Sequence, residues 1–195
     1  MLNAEYNQNE KKMREIKEIH IHCSATREGQ AITADEIRKW HTSPPRSWSD
    51  IGYHYIIGFQ QIEFGRPLHR IPASAKGHNK YAAAVCYIGG VDANGKAKDT
   101  RTPRQKEILI KIIKQLKAKY PKAKIHGHRD LSVDRDGDGV EKHEFMKMCP
   151  CFDAEVEYMD YQPEGFVPKS KVGKDEKAKR NKARSNSKES STASS

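Results

Sequence analysis

The sequence predicts an α/β protein: a single domain with a central mixed β-sheet flanked by helices, followed by a disordered C-terminal tail. Three observations carry that prediction. Short apolar or alternating stretches at 17–23, 53–59, 85–89 and 124–127 are interleaved with two stretches of helical period. A chain of 195 residues has room for one domain and an appendage rather than for two full domains. From Lys169 onward the chain loses nearly every sizeable apolar residue.

Residues 1–15 read as a frayed N-terminus with no apolar run and no small-residue cleavage site, so no secretory signal peptide is expected. Residues 17–23, KEIHIHC, alternate apolar and polar side chains, predicting a strand with His20 and His22 on one face. Thr33 with Glu36 three positions on forms a capping box, opening a short helix with Ile37 and Trp40 expected on its inner side. SPPRSW cannot continue that helix and reads as a loop. YHYIIGF, from Tyr53, and the stretch through Leu68 read as a β-hairpin with Gly65 near its turn, and VCYIG, from Val85, as a short buried strand ending at a glycine pair.

Thr102-Pro103 places proline at the first position of the longest helix. Ile108, Ile112, Leu116 and Tyr120 recur every four residues beside Leu109 and Ile113, lysines fill the other face, and Pro121 ends the helix. Residues 124–127 form a further short strand, which leads into the polar loop HRDLSVDRDGDG. The folded domain is expected to span 16–168, and no internal repeat is visible.

The most continuous apolar run, near 108–113, is broken by Lys111, whereas a membrane span needs about 20 such residues, which excludes an integral membrane segment. The formal net charge of +10 invites a nucleic-acid or anionic-surface reading, but its location weakens it. Residues 169–195 hold seven Lys and two Arg against three acids, a net +6, which leaves +4 on the other 168 residues. That tail cannot bury enough apolar surface to offset the entropy of ordering it.

Without a signal peptide, Cys23, Cys86, Cys149 and Cys151 are expected as thiols or metal ligands rather than as a disulfide framework. Cys23 and Cys86 lie in strands and read as small core residues. Cys149 follows a polar loop, and His22 and His128 sit at strand ends. Zinc catalysis needs three His/Cys-type ligands and one open position. These three residues could supply the set, although their long separations make no local signature.

Six blocks then occur in order: HCSAT from His22, IRKWH from Ile37, IGYHYII from Ile51, AKGHN from Ala75, GGVDANGK from Gly89, and HRD with KMCPCFD near the end. Across roughly 16–152 the chain closely resembles the zinc-dependent N-acetylmuramoyl-L-alanine amidases of the bacteriophage-lysozyme type, related to peptidoglycan recognition proteins. The resemblance implies one zinc ion held by His22, His128 and Cys149, with Tyr53 and Lys147 as the catalytic pair. It implies hydrolysis of the amide between N-acetylmuramic acid and L-alanine in peptidoglycan by zinc-activated water. His20 is expected as a structural neighbour of His22, His54 as a support behind the ligands, and AKGHN as part of the substrate groove wall.

The segment 132–145 departs from compact members of that family. Asp134, Asp136, Asp138 and Gly139 have EF-hand-like spacing, which suits calcium, yet position twelve is Phe145 and the acid falls one early at Glu144. A calcium site on Asp134, Asp136, Asp138 and Glu144 and a degenerate surface turn are both compatible with it.

Two other readings stand beside the enzyme. One is a non-catalytic peptidoglycan recognition module, for which the whole five-residue set would be superfluous. The other is a nucleic-acid or polymerase-binding protein, which lacks a basic helix with interleaved aromatics in the folded part. The expected enzyme is a monomer that stays cytoplasmic until it is released to the cell wall.

Overall fold

The computed structural model describes residues 14–136 and 140–171. Five strands form one sheet in the order β4-β3-β5-β1-β7: β1 Glu18–Cys23, β3 Tyr55–Ile57, β4 Ile62–Phe64, β5 Ala82–Tyr87 and β7 Lys124–Gly127. β3, β5, β1 and β7 run parallel, and β4 is antiparallel to β3, so the sheet is mixed as expected. A second ribbon pairs β2 Thr26–Arg27 with β6 Gly90–Val91. The helices are α1 Ala34–Thr42, α2 Pro103–Lys119 and the short α3 Ala154–Glu157.

The period of two along β1 decides which face does what. Ile19, Ile21 and Cys23 lie in register with Ala83, Val85 and Tyr87 of β5. Together with Ile125 they pack against Ile108, Leu109, Ile112, Ile113 and Leu116 of α2. Each fully buried side chain of that size contributes about 1.5–3 kcal/mol, so this layer is the main apolar store of the domain. The alternate residues of β1, His20 and His22, point to the other face. There a smaller cluster of Ile32, Ala34, Ile37, Ile51, Ile56 and Ile88 seats α1.

Both expected helix starts are present, each with a reciprocal capping box: Thr33 with Glu36 and Thr102 with Gln105. Gln105 does more than cap. It is fully buried, its Oε1 accepts from the Thr102 backbone N–H, and its Nε2 donates to the carbonyls of Ile57 and Ile88. The start of α2 is thereby tied to the ends of β3 and β5.

Three expectations need correction. The inner face of α1 carries Ala34, Ile37 and His41, while Trp40 is 41% exposed, because the helix turns His41 rather than Trp40 under Ile37. The hairpin turns at 58–61, where the Gly58 N–H donates to the Gln61 carbonyl; Gly65 lies beyond β4, and a Cβ there would sit 2.3 Å from the Tyr53 carbonyl oxygen. β5 begins at Ala82, three residues before the expected strand, since the weakly β-forming run Ala82–Ala84 is paired along its whole length with Glu18, Ile19 and His20 of β1.

His54 is a scaffold residue. Its Nδ1 accepts from the Ala84 N–H, and its Nε2–H donates to the Arg70 carbonyl. Burial holds its pKa down at about 3, so the folded chain keeps this ring neutral. No helix among the described residues is long and apolar enough to cross a membrane.

Replacing Gln105 with Leu keeps the volume but strands the Ile88 carbonyl and a cap N–H and removes one of two donors to the Ile57 carbonyl; a loss of about 2–4 kcal/mol in urea unfolding is expected. A second outcome concerns acid. The unfolded chain protonates His54 below its ordinary pKa of 6.5 while the fold does not, so the stability carried by the neutral ring is present above that value and is lost as pH falls toward 3. Near pH 5 the wild type should lose stability more steeply than His54→Gln by about 1.4 kcal/mol per pH unit, measured by urea titration at several pH values.

Candidate active site

The site forms at the carboxyl ends of the parallel strands, where open α/β sheets place their ligand crevices. His22 is the fifth residue of β1, opposite Cys86 of β5. His128 follows β7 directly, opening a 3-10 turn His128–Leu131. Cys149 returns from the long excursion after that turn. The Arg129 N–H donates to the Cys149 carbonyl at 2.7 Å, and the Tyr87 hydroxyl donates to the Pro150 carbonyl at 2.7 Å. Gly127 permits the approach: a Cβ there would stand 2.6 Å from Pro150 Cδ.

The donor atoms of His22, His128 and Cys149 lie within 4.8 Å of one another. Cys149 Sγ is 3.8 Å from His22 Nδ1, and the two imidazole rings are centred 4.8 Å apart. The buried His22 Nε2 has no hydrogen-bond partner among the described residues, while Cys149 Sγ accepts the Cys23 N–H at 3.2 Å. Burial, His128, His20 and Lys147 hold the His22 pKa well below its ordinary value; burial and Lys147 hold His128 at about 4. Two neutral imidazoles and one sulfur with a backbone N–H directed at it fit zinc in number and in chemical softness.

Around this set lies a cleft of about 280 Å³. Tyr53 and Lys147 both line it, so all five residues singled out in the sequence come together, with Tyr53 5.3 Å from the His22 ring. Burial and the neighbouring thiols raise the Tyr53 pKa well above its ordinary value, which keeps its hydroxyl protonated. Trp40, His41, Arg46, Trp48, Ala73 and Ser74 also line the cleft; none of them was singled out beforehand as a site residue, and Trp40 was expected on the inner side of α1. The adjacent Trp and His of IRKWH were the available signal. His41 Nδ1 accepts the Gly52 N–H at 3.0 Å, and its ring lies 5.5 Å from Tyr53, so it braces the segment that carries the tyrosine.

Other expected residues take different places. His20 is buried beside His22, with its Nε2 2.7 Å from Glu18. His54 makes no hydrogen bond to the donor set; it anchors backbone instead. Of the groove wall, Ala73 and Ser74 just before AKGHN line the cleft, and Asn79 Oδ1 holds that turn through the N–H groups of Ser74 and Ala75. Cys23 Sγ lies 3.9 Å from Cys151 Sγ, and all four cysteines are free thiols.

The calcium expectation is not upheld. Glu144 is buried, and its two carboxylate oxygens accept the backbone N–H groups of Arg135 and Glu141, closing the loop on itself rather than offering a bidentate ligand. Asp136 groups with His143 and Glu144, and Asp138 falls outside the described residues.

No family model matches the chain. It is 34% identical over 145 residues to the endolysin of Enterobacteria phage K11, covering 74% of this chain and 86% of that protein. Among solved structures it resembles the N-acetylmuramoyl-L-alanine amidase LysC of Clostridium intestinale, with a TM-score of 0.57 and 24% identity over 75% of this chain and 84% of that one. It also resembles bumblebee PGRP-SA, with a TM-score of 0.58 and 22% identity over 78% of this chain and 84% of that one. The chain belongs to the phage endolysin family, built on the fold it shares with that amidase and with the peptidoglycan recognition proteins.

Proposed function

We propose that the chain is an N-acetylmuramoyl-L-alanine amidase that hydrolyses peptidoglycan at the bond between the lactyl group of N-acetylmuramic acid and L-alanine, with zinc held by His22, His128 and Cys149. The observation that carries the reading is the convergence of this donor set with Tyr53 and Lys147 in one cleft. Bound there, zinc supplies a Lewis acid that lowers the pKa of water and polarises an amide carbonyl.

The chain's own groups do the rest. His22 and His128 enter as neutral ligands because burial has already removed their protons. The Cys149 sulfur, which accepts the Cys23 N–H, would be the third ligand. Lys147, exposed at the rim, sets an ammonium against the scissile carbonyl oxygen as negative charge grows on it. Tyr53 holds its proton and donates from the cleft floor, orienting substrate and helping to pass a proton to the departing alanine amine. One chain contains the whole set, so the proposed enzyme acts as a monomer. It works on the cell wall after release from the cell that makes it. A module that only recognises peptidoglycan is disfavoured, since binding alone needs neither the donor trio nor a protonated tyrosine beside it.

Digestion of purified peptidoglycan should create new amino termini without new reducing sugar ends; new reducing ends would indicate a glycosidase instead. Cys149→Ser should lose both bound zinc and this release while keeping the circular dichroism spectrum of the fold. Tyr53→Phe and Lys147→Ala should retain zinc at one per chain and lose kcat by about 10²–10³-fold each, measured on a soluble muramyl peptide. Retained zinc with unchanged kcat would remove either residue from the reaction.

A further inference from the structure

We propose that His20 is a positioning residue for the donor trio: its Nδ1 accepts, through one buried water, the hydrogen bond that His22 Nε2–H sends out, and Glu18 fixes it in that role. The inference rests on the reading of His22 as a zinc ligand. Glu18, His20 and His22 are alternate residues of β1 and share one face of the sheet. Each imidazole has spent one nitrogen. His20 Nε2 lies 2.7 Å from Glu18 Oε2, and His22 Nδ1 lies 3.8 Å from Cys149 Sγ. The second nitrogens, His20 Nδ1 and His22 Nε2, are both buried and have no hydrogen-bond partner among the described residues. The Tyr120 hydroxyl, at the end of α2, is the one other buried side-chain atom of that kind among them. An unpaired buried donor or acceptor is costly, and two on neighbouring rings point to a shared partner.

Three rings adjoin His22: His128 at 4.8 Å, Tyr53 at 5.3 Å and His20 at 6.3 Å between centroids. His128 belongs to the donor trio and Tyr53 lines the cleft, which leaves His20 as the neighbour with a nitrogen to offer. A separation of 6.3 Å is too long for a direct N–H···N bond, whereas two hydrogen bonds of about 2.8 Å that meet at one water oxygen suit it. The protons are complementary. With Nδ1 beside Cys149 Sγ, His22 carries its proton on Nε2 and needs an acceptor. With its own Nε2–H donated to the Glu18 carboxylate, His20 has a lone pair on Nδ1 and supplies one. Glu18 thus acts on His22 through His20, holding the ring and its tautomer ready for the ion. The supporting histidine stands on β1 itself, two residues before the ligand, rather than at position 54.

The test starts from the unaltered full chain, so it does not depend on a variant folding. Long-range proton–nitrogen NMR correlations of the imidazoles, recorded without zinc, should show His22 and His20 both as Nε2–H tautomers. The His22 Nε2–H should exchange slowly and lie in contact with a bound water. A proton on His22 Nδ1 would overturn the proposal. Zinc affinity, measured by competition with a chelator, gives a second readout. His20→Phe keeps a ring of similar shape without an acceptor, and should weaken zinc binding about 10–100-fold and mix the His22 tautomers. His20→Asn places Oδ1 where Nδ1 was, and should return to within about threefold of the wild type. Equal affinity in the wild type and His20→Phe, or equal losses in His20→Phe and His20→Asn, would also overturn it while leaving the zinc reading intact. A wild type that binds no zinc would remove that reading instead.

Discussion

The site depends on one constraint, the period-two alternation of β1 in the middle of a parallel sheet. With Ile19, Ile21 and Cys23 locked against α2, His20 and His22 have no choice but the opposite face. A slip of one residue would bury two imidazoles in the apolar layer and expose three core side chains. The large cluster on the α2 side therefore specifies the position of the metal-type donors on the other. The register of β7 does the same for His128: Gly127 is the last paired residue beside β1, so the next residue leaves the sheet at the level of His22.

The third donor needs a different device, because Cys149 comes from a long excursion rather than from a strand. Its position is set by what surrounds Pro150 and Phe152. Tyr87 holds the Pro150 carbonyl, and the absent side chain of Gly127 gives the proline ring its seat. The Arg101 guanidinium lies 3.2 Å over the Phe152 ring while being gripped by Asp99 and Glu157. Farther out, Arg129 pairs with Asp153, and Lys169 reaches back to the Asp130 carbonyl. The excursion can vary in length between these anchors without moving the thiol, which is why the Asp-rich segment is compatible with an intact donor set.

What was legible in the sequence was what a single local rule decides. The alternation of KEIHIHC, the capping box at Thr33, the proline opening α2 and the four-residue spacing of α2 each report a geometry directly, and each is found. The donor trio was legible only through the ordered blocks, since residues 22, 128 and 149 meet through sheet order, which no local spacing encodes. The misreadings are those in which tertiary context outweighs local preference. Three alanines became strand because β1 pairs each of them, while His54 holds Ala84 from the other side. Trp40 was expected beside Ile37 on the inner side of α1, yet it lines the cleft. Gly65 was read as a turn residue, although its smallness serves the approach of the Tyr53 backbone. Glu144 had the composition of a calcium ligand, but the backbone N–H groups claim its oxygens. Lys169 bonds to Glu155 and Asp130, while the expected tail from residue 172 onward lies outside the described residues.

The net charge of +10 first suggested a general attraction to anionic polymers, and the structure gives a small part of that charge a sharper role. A metal site of this kind has a difficulty of its own, because its imidazoles must be unprotonated before an ion arrives. Burial supplies most of that condition at His22 and His128, and the Lys147 ammonium supplies more by opposing a second positive charge beside it. An acidic residue in the same place would do the reverse, favouring the imidazolium and meeting the growing negative charge of the scissile carbonyl with like charge. Among the described residues, no acid lines the cleft. The same Coulomb term thus favours neutral ligands before the metal binds and a stabilised oxyanion during the reaction, so a cation at the rim serves both stages, and a carboxylate there would oppose both.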